Sequence, residues 1–211
     1  MSRLVVAVGL VVAIFGGSLV AQWTTDGGVR GGGQLIPISR FEVTSGRWRP
    51  VGTDGTSART ASPVFRARSK RSDLGSPQLR LRFRIDRFAE GPDPHDWDGV
   101  HIGLRYASPD DLYYFSVARR DGTVAEKRKS RGRYETLAVA DHEVSVDEWH
   151  RATVSVRDTP DGARLRLTVD GERVLEALDG VTRALPPGGR VLVRSDNVSA
   201  AFADVRVGDQ V

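Results

Sequence analysis

Three arginines alternate with apolar residues in one short segment of the sequence, and together their side chains could bind an anion. Because successive side chains of a β-strand point to opposite faces, Arg80, Arg82 and Arg84 are expected to share one face. Planar guanidinium groups make bidentate contacts with carboxylates and sulfates. The row therefore predicts one of two roles. It either binds an acidic polysaccharide or solvates an outer sheet face through ion pairs with Asp86 or Glu126.

Further side chains extend this row if the neighbouring strands align with it, namely Trp97, His101, Arg105, Tyr114, Arg120 and Lys127. Trp97 or Tyr114 would stack on a sugar ring, while the arginines would contact its acidic groups. The same side chains also permit a lyase, with His101 as the base, Tyr114 as the acid and an arginine that neutralises a uronate carboxylate. Since only two residues support catalysis, the sequence favours a binding module over an enzyme.

The segment 93–99, with the sequence DPHDWDG, brings three carboxylates together with His95 and Trp97. Such a loop could hold calcium or supply an acid and a base at the rim of a sugar site. It lacks the D-x-D-x-D-G register of a calcium loop. The alternative is an ordinary solvated turn, because turns commonly use Asp, Pro and Gly.

The composition excludes several classes of site. With no cysteine, thiolate zinc sites are excluded, and the four histidines lack the H-x-x-x-H spacing of a helical zinc site. The 211-residue chain has a formal net charge of +4, which permits anionic partners without requiring them.

The N-terminus carries the pattern of an export signal. Arg3 precedes an apolar run from Leu4 to Val20 that has a single polar interruption. This pattern predicts that residues 1–21 form a signal peptide or an uncleaved helical anchor, since the run approaches the roughly 20 residues that span a bilayer. A glycine-rich linker, 22–40, is expected to follow. Whether residues 1–21 are a signal peptide or an anchor, the protein is expected to be secreted or extracytoplasmic. Any contact with the membrane would be limited to residues 1–21, and nucleic acid is disfavoured as a partner.

Beyond the linker, apolar residues recur with period two in short runs that end at Gly, Pro, Asp or Asn, which is typical of half-buried β-strands. Asp-Gly pairs at 121–122, 161–162 and 170–171 indicate tight turns between antiparallel strands. Residues 41–208 are therefore expected to form one all-β domain, either a two-sheet sandwich or a barrel.

Short motifs follow one another along this domain. They are Phe41-Glu42 with Gly46-Arg47-Trp48 and Asp54-Gly55; Asp111-Leu112-Tyr113-Tyr114-Phe115 with Arg120-Asp121-Gly122; Glu148-Trp149-His150-Arg151 with Val169-Asp170-Gly171; and Gly189 to Arg194 with Ala201 to Val207. Their order and spacing resemble the concanavalin A-like lectin and glucanase superfamily, including laminin-G-like modules and a domain associated with 3-keto-glycoside hydrolysis. The resemblance implies an antiparallel two-sheet jelly-roll sandwich that binds saccharides across a concave face or at its loop rim. It implies no single activity, because binding modules, hydrolases and lyases share this scaffold.

The resemblance also implies a structural calcium ion. In related sandwiches an aspartate of the final strand, here Asp204, ties the chain ends together through calcium, and Glu42 is the partner expected first. Calcium takes six to eight oxygen ligands, so backbone carbonyls would have to complete such a site. The alternative is that Asp204 is a surface carboxylate.

The function expected from the sequence is an extracellular carbohydrate-binding or cell-surface recognition module whose partner is a polysaccharide or glycan, with acidic polysaccharide as the specific hypothesis. A polysaccharide hydrolase or lyase on the same fold is the alternative, and a purely structural envelope domain is a third. The carboxylate pattern E-x-D-x-x-E of laminarinase-like hydrolases is absent from the sequence.

Overall fold

The computed structural model describes residues 34–36, 40–51, 57–60, 63–90 and 93–209, and it contains no α-helix among them. Most of the predicted N-terminal signal and linker (1–33 and 37–39) and the Asp54-Gly55 motif lie outside the described residues. Within the described part of the chain, no helix is both long and apolar enough to cross a membrane.

The described residues form fifteen strands, and every pairing between strands is antiparallel. The strands are β1 (Gln34–Leu35), β2 (Glu42–Ser45), β3 (Trp48–Val51), β4 (Ser57–Thr60), β5 (Val64–Arg68), β6 (Pro77–Phe88), β7 (Gly99–Ser108), β8 (Asp111–Arg119), β9 (Thr123–Ser130), β10 (Arg133–Asp141), β11 (His150–Thr159), β12 (Gly162–Val169), β13 (Glu172–Gly180), β14 (Arg190–Asp196) and β15 (Val198–Asp209).

The strands divide into two sheets. The eight-stranded sheet has the order β13-β12-β11-β6-β15-β4-β3, with β1 paired to β15 beside this path. The seven-stranded sheet has the order β10-β9-β8-β7-β14-β5-β2. The all-β prediction is confirmed, and the two packed sheets form a jelly-roll sandwich rather than a barrel.

The core lies between the two sheets and uses the period-two rows that the sequence indicates. On β6 the buried row is Leu79, Leu81, Phe83 and Ile85, and on β8 it is Tyr113, Phe115 and Val117. Residues of β11, β12 and β15 complete the same cluster. Because alternate residues point inward, the side chains between them must form the two outer faces of the sandwich.

Strand β7 departs from simple alternation. Arg105 has a positive φ of 50°, and the β7–β8 register shifts between Leu104 and Ser108. This β-bulge exchanges the faces of the residues that follow. Arg105 therefore points into the protein, and Tyr106 packs with a separate apolar cluster instead of continuing the core row of Val100, Ile102 and Leu104.

The β12–β13 connection shows how the predicted turns form. Asp170 has φ 49° and Gly171 has φ 90°, so both central residues adopt the positive φ that a tight hairpin turn requires. Asp170 also accepts hydrogen bonds from the Arg151 backbone N–H at 2.7 Å and contacts His150 Nδ1 at 2.7 Å. The side chain of the turn thus fixes the start of β11 as well.

Candidate functional site

The structure separates the predicted binding residues onto two opposite faces. Arg80, Arg82 and Arg84 lie on β6 in the eight-stranded sheet, whereas His101 and Tyr114 lie on β7 and β8 in the seven-stranded sheet. His101 and Tyr114 therefore do not extend the row of Arg80, Arg82 and Arg84. The reason is topological, because β6 and β7 are consecutive in sequence yet belong to different sheets.

The outer surface of the eight-stranded sheet is rich in arginine, and we call it the arginine face. Its described arginines at outward positions are Arg49, Arg59, Arg80, Arg82, Arg84, Arg151, Arg157, Arg164, Arg166, Arg173 and Arg206, and the acidic side chains among them are Asp86, Asp204 and Glu176. The arginines outnumber the carboxylates on this face by more than the net charge of +4 of the whole chain. Positive charge is therefore concentrated on this side of the sandwich.

Two arginines of the predicted row have intramolecular partners. Arg84 pairs with Asp86 at 2.7 Å, and Arg82 lies 3.4 Å from Asp204. Both guanidinium groups also stack over Trp149, at 4.7 Å for Arg82 and 5.6 Å for Arg84. Asp86 is thus one of the two ion-pair partners that the sequence suggested, while the other, Glu126, lies in the interior.

Arg105 and Arg120 hold the framework together. Arg105 is 2% exposed, donates to the carbonyls of Leu185 at 2.8 Å and Gly75 at 3.3 Å, and pairs with Asp158 at 2.8 Å. Arg120 donates to the Ala89 carbonyl at 2.8 Å. The structure therefore buries Arg105, whereas the side chain of Arg120 is 28% exposed.

The acidic loop 93–98 is held by one buried carboxylate. Asp98, which is 0% exposed, accepts hydrogen bonds from the His95 backbone N–H and the Asn197 side chain, both at 3.0 Å. Trp97 is 40% exposed and stacks on His95 with ring centroids 4.6 Å apart. The hydrogen bonds that Asp98 accepts therefore hold the turn together, and the side chain of Trp97 is partly exposed on the same loop.

The carboxylates proposed for calcium lie on different sheets. Glu42, on β2, pairs with Arg68 at 3.0 Å, and Asp204, on β15, faces Arg82. No group of three or more His, Asp or Glu side chains that could hold a metal ion occurs among the described residues. Calcium binding remains a proposal, and a thermal melt in the presence of a chelator tests it.

The outer surface of the seven-stranded sheet carries the clearest cluster of polar side chains. Strand pairing aligns Arg66 on β5, Arg194 on β14, His101 on β7 and Ser116 on β8 as direct cross-strand neighbours. We call these four residues the polar row. Four adjacent strands thus bring together side chains that are up to 128 positions apart in the sequence.

Ser116, His101 and Asp196 form a line across three strands. Ser116 Oγ lies 3.0 Å from His101 Nδ1, and His101 Nε2 lies 3.4 Å from Asp196 Oδ2. Burial, followed by the charge of Arg194, holds the pKa of His101 well below its ordinary value of 6.5, so the ring is neutral. Ser116 is only 2% exposed. A buried hydroxyl beside a weakly basic ring is poorly suited to act as a nucleophile. These side chains instead form a hydrogen-bonded layer beneath the outer surface of the sheet.

Arg194 and Asp196 form an ion pair beside these residues, with one hydrogen bond donated by Arg194 Nη2 to Asp196 Oδ1. Arg194 Nε and Nη2 each lie 2.7 Å from an oxygen of Asp196, which is 2% exposed. Burial raises the pKa of Asp196, while Arg194 opposes that effect by stabilising the charged form. The ion pair and its charge-assisted hydrogen bond restrict the position of the guanidinium group.

Two tyrosines add an aromatic edge next to the polar row. Tyr114 is 6% exposed and lies 5.0 Å from the His101 ring, and Tyr134, which is 52% exposed, meets Tyr114 edge-on at 6.0 Å. The Arg194 guanidinium lies 5.9 Å from the Tyr114 ring and Lys129 lies 5.0 Å from the Tyr134 ring. Tyr134 therefore presents an accessible ring supported by a buried one.

Two cations on this face have no ion-pair partner among the described residues. Lys127 is the direct cross-strand neighbour of Tyr114, and burial together with the charge of Arg119 lowers its pKa. Arg66 ends the polar row, and its Nε is buried without a hydrogen-bond partner in the described part of the chain. The strands that carry them, β5 and β9, are four strand spacings apart, or about 19 Å. The face can thus offer positive charge at both ends of an extended ligand.

An apolar cluster supports the same face. It consists of Tyr106, Leu112, Tyr114 and Leu192, each at most 6% exposed. Gly103 lies beneath it, and a Cβ at this position would come within 2.9 Å of Leu112 and of Leu192. The absence of a side chain at Gly103 lets these residues pack close to the sheet, so that Tyr114 is rigidly held.

Sequence analysis identified His101 and Tyr114 but missed the residues that surround them. Arg66, Ser116, Tyr134, Arg194 and Asp196 lie on four different strands, and no short motif links them. The only local signal is the alternation of polar and apolar residues on each strand. Strand order must be known before these polar positions can be seen as one cluster.

Comparisons with known proteins support this description of the fold. No protein-family model and no curated protein matches the sequence. Among solved structures, a carbohydrate binding module, CBM66 from Bacillus subtilis, has a TM-score of 0.61 at 14% identity and covers 81% of this chain and 96% of its own. A Bacillus subtilis protein of unknown function with a galectin-like fold has a TM-score of 0.59 at 13% identity, covering 82% and 91%.

A third similar structure is the carbohydrate recognition domain of Emp46p in a metal-free form, with a TM-score of 0.55 at 10% identity over 82% of this chain and 90% of that one. Identities this low establish the fold alone. The chain therefore has a jelly-roll sandwich fold that it shares with these three solved structures.

Proposed function

We propose that this protein is a carbohydrate-binding module that recognises an acidic saccharide on the outer face of its seven-stranded sheet. The observation that carries the proposal is the combination of the exposed Tyr134 ring with the unpaired cations Lys127 and Arg66 along one face. An aromatic ring packs on the apolar side of a sugar, and the cations suit its carboxylate or sulfate groups.

The buried part of the cluster supports recognition by fixing its geometry. Polar groups that are held in place before the ligand arrives bind it more tightly, since less conformational entropy is lost on binding. Arg194 is fixed by Asp196, and His101 is fixed by Ser116. The similar structures include one described as a carbohydrate binding module and one as a carbohydrate recognition domain, which agrees with this role.

The test compares two exposed aromatic residues on opposite faces. The full-length chain, Tyr134→Ala and Trp149→Ala are applied to a panel of immobilised anionic and neutral polysaccharides, and retention is measured. We expect Tyr134→Ala to weaken binding to acidic glycans about tenfold, since aromatic contacts contribute on the order of 1 kcal/mol. Trp149→Ala, on the arginine face, should bind like the wild type.

The same panel distinguishes binding from catalysis. Release of reducing or unsaturated ends from any glycan would favour the hydrolase or lyase alternative, whereas retention without release supports a binding module. Equal losses in the two aromatic variants would contradict the assignment to this face.

The acidic character of the ligand is tested separately by Lys127→Gln. We expect this substitution to weaken retention of acidic glycans and to reduce the dependence of retention on salt, because one screened charge contact is removed. Retention of neutral glycans should not change. If wild-type retention were insensitive to salt, the protein would bind neutral sugars instead.

A further inference from the structure

We propose that the arginine face contains a second binding site, a pocket for a phosphate group formed by Ser155 and Arg157 on β11 and by Arg164 and Arg166 on β12. It lies on the opposite side of the sandwich from the proposed glycan site and does not depend on it. The pocket has a volume of about 200 Å³, and Thr159 completes its lining.

Strand pairing forces the cations of this pocket together. Arg157 is the direct cross-strand neighbour of Arg164, and Ser155 is the neighbour of Arg166. Two like charges placed opposite each other destabilise a sheet unless something neutralises them. Among the described residues Arg157 has no ion-pair partner, so the Arg157–Arg164 pair retains an unbalanced charge that an anion would neutralise.

One carboxylate preorganises the other two guanidinium groups. Glu176 accepts hydrogen bonds from Arg166 Nε at 2.8 Å and from Arg164 Nη1 at 3.1 Å. The other N–H groups of both arginines do not take part in these two hydrogen bonds. Three guanidinium groups and one carboxylate give the pocket a net charge of +2. A phosphate monoester carries about −1.5 to −2 near neutral pH and offers three acceptor oxygens.

A free hydroxyl completes the site. Ser155 is 7% exposed, and its Oγ forms no hydrogen bond with any described residue. The Thr159 hydroxyl, by contrast, donates to the Gly162 carbonyl at 2.9 Å. Guanidinium donors from two strands and a hydroxyl donor between them suit a tetrahedral oxyanion better than a planar carboxylate, which one arginine can bind alone.

The experiment uses thermal melts of the full-length chain at constant ionic strength, with chloride replaced stepwise by inorganic phosphate. We expect the melting temperature to rise and then saturate as the site fills. Arg157→Gln should lower the phosphate affinity about tenfold or more, because it removes a charge-assisted hydrogen bond. Arg80→Gln is the matched control, since Arg80 lies on the same face and opposite Arg206 but outside the pocket.

A second readout separates binding from a structural role. Without phosphate, Arg157→Gln should be at least as stable as the wild type, because it relieves the contact with Arg164. Glucose 6-phosphate, titrated in parallel, distinguishes a sugar phosphate from the free ion as the source of the group. Equal loss of affinity in Arg157→Gln and Arg80→Gln, or no saturable response up to roughly 50 mM phosphate, would overturn the proposal.

Discussion

At the scale of single residues, a buried carboxyl group makes stability depend on pH. Glu126 on β9 is 0% exposed, and neither of its carboxyl oxygens has a hydrogen-bond partner among the described residues. Burial, with a smaller contribution from the charge of Glu176, raises the pKa of Glu126 from 4.5 to about 8. The group is therefore mostly protonated at neutral pH, and its ionisation opposes folding.

The sign of the pH dependence follows from this shift. Because the folded pKa of Glu126 exceeds the unfolded one, its contribution to stability is fully present below pH 4.5 and is lost as the pH rises through about 8. Glu126→Gln should remove this loss of stability at alkaline pH. Between about pH 4.5 and pH 9, the free energy of unfolding of the wild type should fall by roughly 3–5 kcal/mol more than that of the variant.

Denaturant unfolding at about pH 5, 7 and 9 measures this difference. Glu143→Gln is the control, since Glu143 is an exposed carboxyl on the same chain. If the wild type and Glu126→Gln lost stability in parallel over this range, the ionisation of Glu126 could not be the cause.

At the scale of elements, β7 connects the core to the proposed glycan site. Its first half directs Val100, Ile102 and Leu104 inward and His101 outward, and the bulge at Arg105 then exchanges the two faces. The strand is buried on both sides from Gly99 to Tyr106. A change in its position would therefore disturb the core and the outer face together.

Gly99, at the start of β7, offers a direct test. Its φ is 154°, and an added Cβ would lie 1.9 Å from the carbonyl oxygen of Ala118. We expect Gly99→Ala to lower the free energy of unfolding by about 3 kcal/mol or more, since backbone must move to relieve the clash. The change should also weaken glycan retention, because β7 carries His101.

Gly180→Ala is the matched control for this substitution. Gly180 also lies in a strand, but apart from its own chain neighbours no heavy atom of the described residues lies within 4 Å of the Cβ that it would gain. Its effect on the unfolding free energy should stay within about 1 kcal/mol. Equal changes in unfolding free energy for Gly99→Ala and Gly180→Ala would show that the close approach of Gly99 to Ala118 is not the cause of the destabilisation.

At the scale of the whole molecule, the sandwich presents two different surfaces in opposite directions. The seven-stranded sheet carries aromatic rings and a few cations over a buried polar row, while the eight-stranded sheet carries a broad field of arginines with few carboxylates. The proposed saccharide site and the proposed phosphate site lie on these opposite surfaces, so a ligand bound at one would not occupy the other.

The N-terminal sequence bears on the cellular location of these surfaces. We propose that residues 1–21 direct the domain out of the cytoplasm, because Arg3 and the apolar run that follows have the pattern of an export signal. Fractionation of cells that express the chain with and without residues 1–21 tests this. The full chain should be found outside the cytoplasm and the shortened chain inside it, and recovery of both in the cytoplasm would contradict the proposal.

The sequence by itself determined which side chains share a strand face. Alternation set the inward row from Leu79 to Ile85 and the outward row from Arg80 to Arg84, and Asp-Gly pairs marked the hairpins, because both depend only on neighbouring residues. The all-β class followed from these local patterns.

Only the tertiary structure decided which strands are neighbours. It placed Arg80 and His101 on opposite faces, turned Arg105 inward at a bulge, and brought Arg66, Arg194 and Ser116 together from separate strands. Such pairings depend on contacts between residues that are far apart in the chain, and a period-two pattern is the same in either sheet. The composition of the candidate sites therefore could not be obtained from strand periodicity alone.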